Sequence, residues 1–322
     1  MPDPNTAPAR STSPTRRVLT LLLKLGLTAV ILYFVGRQVW QHWESVESFD
    51  WQVNLWYLVP SLLCAHVALF LFAFSWTRIV SGFGHRINVP MGYKIFNLSN
   101  LGRYIPGKVW QVFGMLYLAR REGVPEEQAA ASFVIFQLFT IPASLLVYVG
   151  CAQLEPSLLT DNFALLGSNS AYLIGAAALI GCAVLVFYPQ PFLDLANWGL
   201  RKMGRPGATF LLDKRVALFA FAGYVLGWTC FGLAYWLFLK AVLGDAAPPV
   251  LASIGLYNIA YQIGYLALFA PGGLGPRELV MGELLKPFVG PVGPTLAVVA
   301  RLWSVLVDTS SALVALCIRR RD

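Results

Sequence analysis

Two short stretches place proline, glycine and charge inside otherwise apolar sequence. Residues 97–111 read Asn-Leu-Ser-Asn-Leu-Gly-Arg-Tyr-Ile-Pro-Gly-Lys-Val-Trp-Gln, and residues 270–278 read Ala-Pro-Gly-Gly-Leu-Gly-Pro-Arg-Glu. Pro106 lacks an amide donor and disfavours helix in the residue before it, while Gly107 accepts positive φ, so a helix must break there. Arg103 and Lys108 flank that break, and Gln111 follows it. Gly272, Gly273 and Gly275 make the second break. Pro276 suits the first turn of a new helix, which puts Arg277 and Glu278 at a helix N-terminus. Backbone amides freed at a helix start, with cationic side chains beside them, suit an oxyanion, phosphate above all.

The surrounding sequence must position these residues in lipid. The chain has 322 residues, of which 57% are apolar and 12% charged. Soluble domains carry about 25% charge. Apolar runs over about 18–36, 55–76, 129–151, 170–188, 216–242, 250–270 and 295–318 approach or exceed bilayer-spanning length. The expected fold is therefore an all-α polytopic membrane protein, with about seven full transmembrane helices and two broken segments, 95–118 and 271–289. A β-barrel would show short alternating strands instead. Residues 1–15, rich in Pro, Ser and Thr, read as a disordered tail. Residues 16–322 read as one membrane domain. The 18–36 run reads as a retained anchor, since no small-residue cleavage site follows it.

Loop charge sets the expected orientation. Arg10, Arg16 and Arg17 place the N-terminus in the cytoplasm, and Arg78, Arg86 and Lys94 place the 77–94 loop there too. The acidic 37–54 and 152–169 loops fall outside. Segment 95–118 must then enter and leave on the cytoplasmic side as a re-entrant hairpin. Arg319, Arg320 and Arg321 put the C-terminus inside, which requires segment 271–289 to cross as a discontinuous span. The net charge of +8 resides in these loops with no nucleic-acid motif beside it, so nucleic acid is excluded as a partner. The five cysteines show no metal-ligand or disulfide spacing, and no metal or cofactor is expected.

Polar residues inside the spans complete the candidate site. Arg301, Ser304, Asp308 and Ser311 share one helical face. An Arg or Asp facing lipid costs at least about 2.5–3.5 kcal/mol, so both must face protein or water. They stand about 10 Å apart along a helix, too far to pair, so partners on other helices are required, with Glu278 the candidate for Arg301. Tyr261 and Gln262 lie on a stripe with Tyr257, Asn258 and Tyr265 beside the second break. His66 reads as a packed neutral histidine without an evident partner. The bland readings are amphipathic surface segments for the two breaks and a structural polar clasp for the last span.

The motifs Asn100-Leu-Gly-Arg-Tyr-Ile-Pro-Gly-Lys-Val-Trp-Gln111 and Ala270-Pro-Gly-Gly-Leu-Gly-Pro-Arg-Glu278 resemble those of a known family, the polytopic proteins related to the transmembrane, flippase-like region of lysylphosphatidylglycerol synthase. The family's Pro-Gly-basic turn reads Pro106-Gly107-Lys108 here, and its later element reads Pro271 to Glu278. The likeness in length and span pattern covers roughly residues 15–320. Many members carry an Asp-Arg pair after the first hairpin, where this chain has Phe136-Gln137-Leu138-Phe139. The resemblance implies handling or translocation of an anionic phospholipid or glycolipid headgroup across the cytoplasmic membrane. The synthase's soluble aminoacyl-transferase domain has no counterpart in this sequence, so no enzyme activity is expected. The alternatives are a non-transporting partner of cell-envelope synthesis enzymes and an integral lipid-modifying glycosyltransferase.

Overall fold

The computed structural model describes residues 53–105, 109–155, 213–267 and 273–319, with Ala270 and isolated positions elsewhere. The expected tail 1–15, the 18–36 span, the 170–188 span as a whole, and Pro106, Gly107, Lys108 and Gly272 lie outside the described residues. Among the described residues there are eight α-helices and no strand. They are α1 Leu55–Gly82, α2 Val89–Asn100, α3 Val109–Arg121, α4 Glu126–Leu154, α5 Lys214–Leu243, α6 Val250–Leu266, α7 Pro276–Val289 and α8 Gly293–Cys317.

Local chemistry sets the helix ends. The Asn54 side chain accepts from the Trp56 amide at the start of α1, and Asn88 accepts from the Met91 amide at the start of α2. Asp213 caps α5 in the same way. Gly244 and Gly290 take φ of +56° and +64° and stop α5 and α7.

Helices α1, α4, α5 and α8 hold 28, 29, 30 and 25 residues. Each is long enough for a hydrocarbon core of about 30 Å. Helices α2, α3, α6 and α7 hold only 12, 13, 17 and 14 residues. The stretch Pro276–Cys317 is apolar enough to cross as a unit, but it is folded. A Cβ on Gly282 of α7 would lie 3.0 Å from Pro294 Cα of α8, and Arg277 meets Ser304 further from the turn. Helices α7 and α8 therefore run antiparallel about the Gly290 turn.

The two short pairs are hairpins. In α2–α3, a Cβ on Gly102 would sit 2.6 Å from the Gln111 amide, and one on Gly114 would meet Ser99. In α6–α7, Gly264 abuts Arg277 in the same way, and Arg277 reaches back along α6 to Tyr257. The apolar pattern predicts a full span over 250–270 followed by a crossing segment 271–289. The structure folds α6 and α7 antiparallel against each other at the break.

The halves repeat with inverted direction. Among the described residues the order long, short, short, long occurs twice, pairing α1 with α5, α2 with α6, α3 with α7 and α4 with α8. Helices α1 and α5 form the most extensive interface among the described residues, and they are antiparallel. The Asn54 amide donates to the Ala241 carbonyl at 2.8 Å, the Ser61 hydroxyl to Ala234 at 2.6 Å, and the Cys64 thiol to Cys230 at 3.2 Å. Small residues permit the approach: a Cβ on Gly227 would lie 2.5 Å from the Phe72 ring. The equivalent cross-packings are also present. Helix α2 lies along α8, where Lys94 Nζ donates to the Ile318 carbonyl, and α6 lies along α4, where Gly255 abuts Cys151. Inverted repeats with short, broken helices at their centre are an architecture of membrane transporters.

Sparse hydrogen bonds stitch the core. The Ser144 hydroxyl donates to Asn258 Oδ1 at 2.8 Å, and Trp228 Nε1 to Thr140 Oγ1 at 3.0 Å. Such bonds contribute about 0.6 kcal/mol each. Ser144→Ala should therefore shift the thermal unfolding midpoint of the purified protein only slightly. A shift as large as that expected below for Asp308 would show that Ser144 holds more than this one bond.

Candidate functional site

The breaks bring five charged side chains into one buried cluster. Arg103 leaves the 3₁₀ turn Leu101–Tyr104 that ends α2. Its guanidinium pairs with the Asp308 carboxylate of α8 and donates to the Tyr261 hydroxyl of α6 at 2.6 Å. The Tyr104 hydroxyl donates to the same Asp308 carboxylate. Asp308 is thus held by both members of the Arg103-Tyr104 dipeptide, and it is 3% exposed.

The second pair lies one layer away. Arg301 of α8 approaches the Glu278 carboxylate of α7 at 3.5 Å and lies 5.3 Å from the centre of the Tyr104 ring. The partner expected for Arg301 is the one found. Glu278 also accepts from the Gly275 amide at 2.6 Å, closing the first turn of α7. Arg277 stacks on Tyr257 and Tyr261, 5.1 Å from each ring centre, and donates to Ser304 at 3.0 Å. It makes no ion pair among the described residues. With three guanidinium groups (Arg103, Arg277, Arg301) against two carboxylates (Glu278, Asp308), the cluster carries a surplus positive charge. Burial strengthens that field, because little water screens it.

Beside Arg103 lies a cavity of about 30 Å³, bounded by Asn100, Gln111, Gln137, Tyr261, Gln262 and Tyr265 on its polar side and by Phe72, Phe136 and Trp228 on its apolar side. That volume admits about two waters. Gln111 donates to Asn100, and Gln137 to Tyr265. Gln262 is 2% exposed, and neither polar atom of its side-chain amide has a hydrogen-bond partner among the described residues. A buried amide in that state costs about 1–3 kcal/mol unless something else meets it.

The structure therefore brings Arg103, Gln111, Tyr261, Gln262, Arg277, Glu278, Arg301 and Asp308 into one contiguous region. Gly273 and Gly275 of the second break are placed in the turn itself. Their amides are engaged, Gly273 with the Ala270 carbonyl and Gly275 with Glu278. They form the turn and do not offer free donors. Asn100 and Gln137, polar residues of the first break and of the 129–151 span, join the site, and Tyr104 joins it without having stood out in the sequence. Adjacency to the break is the signal that points to Tyr104. His66 proves to have partners, the Leu62 carbonyl at 2.7 Å and the Ser310 hydroxyl at 3.2 Å, so its packing is polar at both nitrogens. Among the described residues the cysteines form no disulfide, and no cluster of metal-ligating side chains occurs.

Helix α8 shows which faces meet lipid. Leu302, Leu306, Leu313 and Leu316 are exposed, while Ser304, Asp308 and Ser311 are buried. An outward apolar belt around an inward charged core is the inverse of a soluble protein and fits a multi-pass membrane protein.

This architecture defines a class: an α-helical membrane protein of two inverted halves, with a charged centre made by paired broken hairpins. Within that class, the chain belongs to the family described as lysylphosphatidylglycerol synthase TM region, whose model matches residues 21–311. No match was found among curated proteins.

Proposed function

We propose that this protein handles or translocates the headgroup of an anionic phospholipid or glycolipid across the cytoplasmic membrane, as a flippase-like protein without enzyme activity. The single observation that supports this reading most is a buried cluster of three guanidinium groups against two carboxylates, one of which, Arg103, lines a cavity together with the unsatisfied Gln262 amide. A phosphodiester carries one negative charge and several acceptor oxygens, and it complements both features. The lipid tails remain in the bilayer while the head passes through the centre. At about two waters in volume, the cavity is smaller than a lipid headgroup. Admission of a headgroup requires the α2–α3 hairpin to part from α6. The two hairpins then act as re-entrant segments from opposite faces, with the C-terminus on the cytoplasmic side beside the 77–94 loop.

The test is a headgroup-accessibility assay in liposomes with fluorescent phosphatidylglycerol. Gln262→Met keeps side-chain volume and removes the amide. Arg103→Lys keeps a charge against Asp308 but cannot hold Tyr261 and Asp308 together. Each should slow exchange by about tenfold, the equivalent of about 1.4 kcal/mol. Exchange no faster than in empty liposomes for the wild type would refute transport and favour a non-transporting partner of envelope-synthesis enzymes.

A further inference from the structure

The open amide at the cavity constrains what the headgroup must carry. Gln262 of α6 bounds the Arg103 cavity and is 2% exposed. Among the described residues, neither its Nε2 nor its Oε1 has a hydrogen-bond partner. The neighbouring polar groups are engaged. Gln111 Nε2 donates to Asn100 Oδ1 at 3.1 Å, and Gln137 Nε2 donates to the Tyr265 hydroxyl. The Tyr261 hydroxyl accepts from Arg103, and the Trp228 indole N–H donates to Thr140. Of the side chains bounding the cavity, that of Gln262 is the one whose buried donor and buried acceptor are both unmet among the described residues.

The two halves of that amide ask for different things. Its nitrogen donates and its carbonyl oxygen accepts. A phosphodiester has acceptor oxygens alone, so it answers Nε2 and leaves Oε1 bare. An ammonium has donors alone, so it answers Oε1 and leaves Nε2 bare. It also brings a like charge to Arg103, and no carboxylate bounds the cavity to offset it. A hydroxyl both donates and accepts. Two neighbouring hydroxyls can accept from Nε2 and donate to Oε1 together. Their carbon skeleton then meets the apolar side of the cavity at Phe72, Phe136 and Trp228.

We infer that Gln262 selects a headgroup with neighbouring hydroxyls, a glycerol or a ring polyol such as a sugar, over an aminated head or a phosphodiester without hydroxyls. The inference rests on the headgroup reading above and adds the class of head to it. The phosphate answers the surplus guanidinium charge, and the hydroxyls answer the Gln262 amide. A site built to hydrogen-bond a hydroxyl rejects the analogue that lacks it, because the site's own buried polar groups are then left unpaired.

The experiment compares four lipids, each fluorescent on its acyl chain, in the liposome exchange assay with the full chain. They are phosphatidylglycerol, phosphatidylinositol, phosphatidylmethanol and phosphatidylethanolamine. Phosphatidylmethanol keeps the charge and the phosphodiester of phosphatidylglycerol but has no hydroxyl. The wild type should exchange phosphatidylglycerol, phosphatidylinositol or both about tenfold faster than the other two. Whichever is fast assigns the hydroxyls to a glycerol or to a ring polyol, and either supports the inference. In Gln262→Met the excess should vanish, while phosphatidylmethanol keeps its wild-type rate and so reports a folded variant. Equal wild-type rates for the hydroxyl-bearing lipids and phosphatidylmethanol overturn the inference, since water then meets the amide, and the headgroup reading stands. Phosphatidylethanolamine as fast as the hydroxyl-bearing lipids overturns it too, as does a variant that keeps the excess or slows all four lipids alike. Exchange of every lipid no faster than in empty liposomes refutes the headgroup reading itself, and this inference with it.

Discussion

Asp308→Ala is expected to destabilise the protein by about 3–5 kcal/mol, the usual effect of removing one partner from a buried ion pair. The reason is the charge left behind. Arg103 is held inside the helix bundle by Asp308, and Tyr104 donates to the same carboxylate. Alanine leaves a guanidinium with the neutral oxygens of Tyr261 and Asn100 as its remaining hydrogen-bond acceptors. It also leaves the Tyr104 hydroxyl without its acceptor. The measurement is thermal unfolding of the detergent-solubilised protein, read beside the fraction eluting as a single folded species. Combining Asp308→Ala with Arg103→Met should recover much of the loss, since the isolated charge is then gone and the side-chain volume is largely kept. A double variant as unstable as the sum of its parts would show that the pair does not act as a unit.

Gly273→Ala is the second large effect. Gly273 has φ of +73°, and a Cβ there would lie 2.7 Å from the Gly264 carbonyl oxygen and 2.8 Å from its carbon. The left-handed backbone costs a residue with a side chain about 1–2 kcal/mol. The collision is with backbone, so α6 and the turn must separate, and overpacking of this kind adds about 1–3 kcal/mol. The expected loss is about 3 kcal/mol from the two effects together, with slower headgroup exchange because Arg277 moves with the turn. Gly150→Ala is the control. Gly150 lies in α4 with open space around its missing Cβ. Alanine there should stabilise by about 0.5–1 kcal/mol, because glycine is the poorer helix former. Equal effects at the two positions would contradict the assigned close approach of the α6–α7 turn.

These two sites also show how far the residues can be read without the fold. The need to bury Arg301 and Asp308 is legible, because a charge in hydrocarbon admits few solutions. Glu278 is legible as the partner of Arg301 for a local reason: it is the acidic residue at the start of the helix after the second break. The partner of Asp308 is not. Arg103 lies in the other half of the chain, and nothing in helical periodicity states which faces of α2 and α8 meet. The glycines of the second break are recognisable as backbone-permissive, but their purpose is not. Gly273 allows helix α6 close to the turn, and Gly275 presents its amide to Glu278.

Hydrophobicity, the backbone limits of proline and glycine, and the cost of bare charge in lipid all act locally. They suffice to make this chain helical, to place it in a membrane, to break its helices at the two Pro-Gly segments, and to turn Arg301 and Asp308 inward. Three features emerge only in the packed molecule: the helix order of the first half recurs in the second with α1 and α5 antiparallel, α6 and α7 double back, and Arg103 closes on Asp308. Those outcomes depend on contacts between helices far apart in the chain, and the same apolar faces would satisfy many other pairings until close-packed side chains select one.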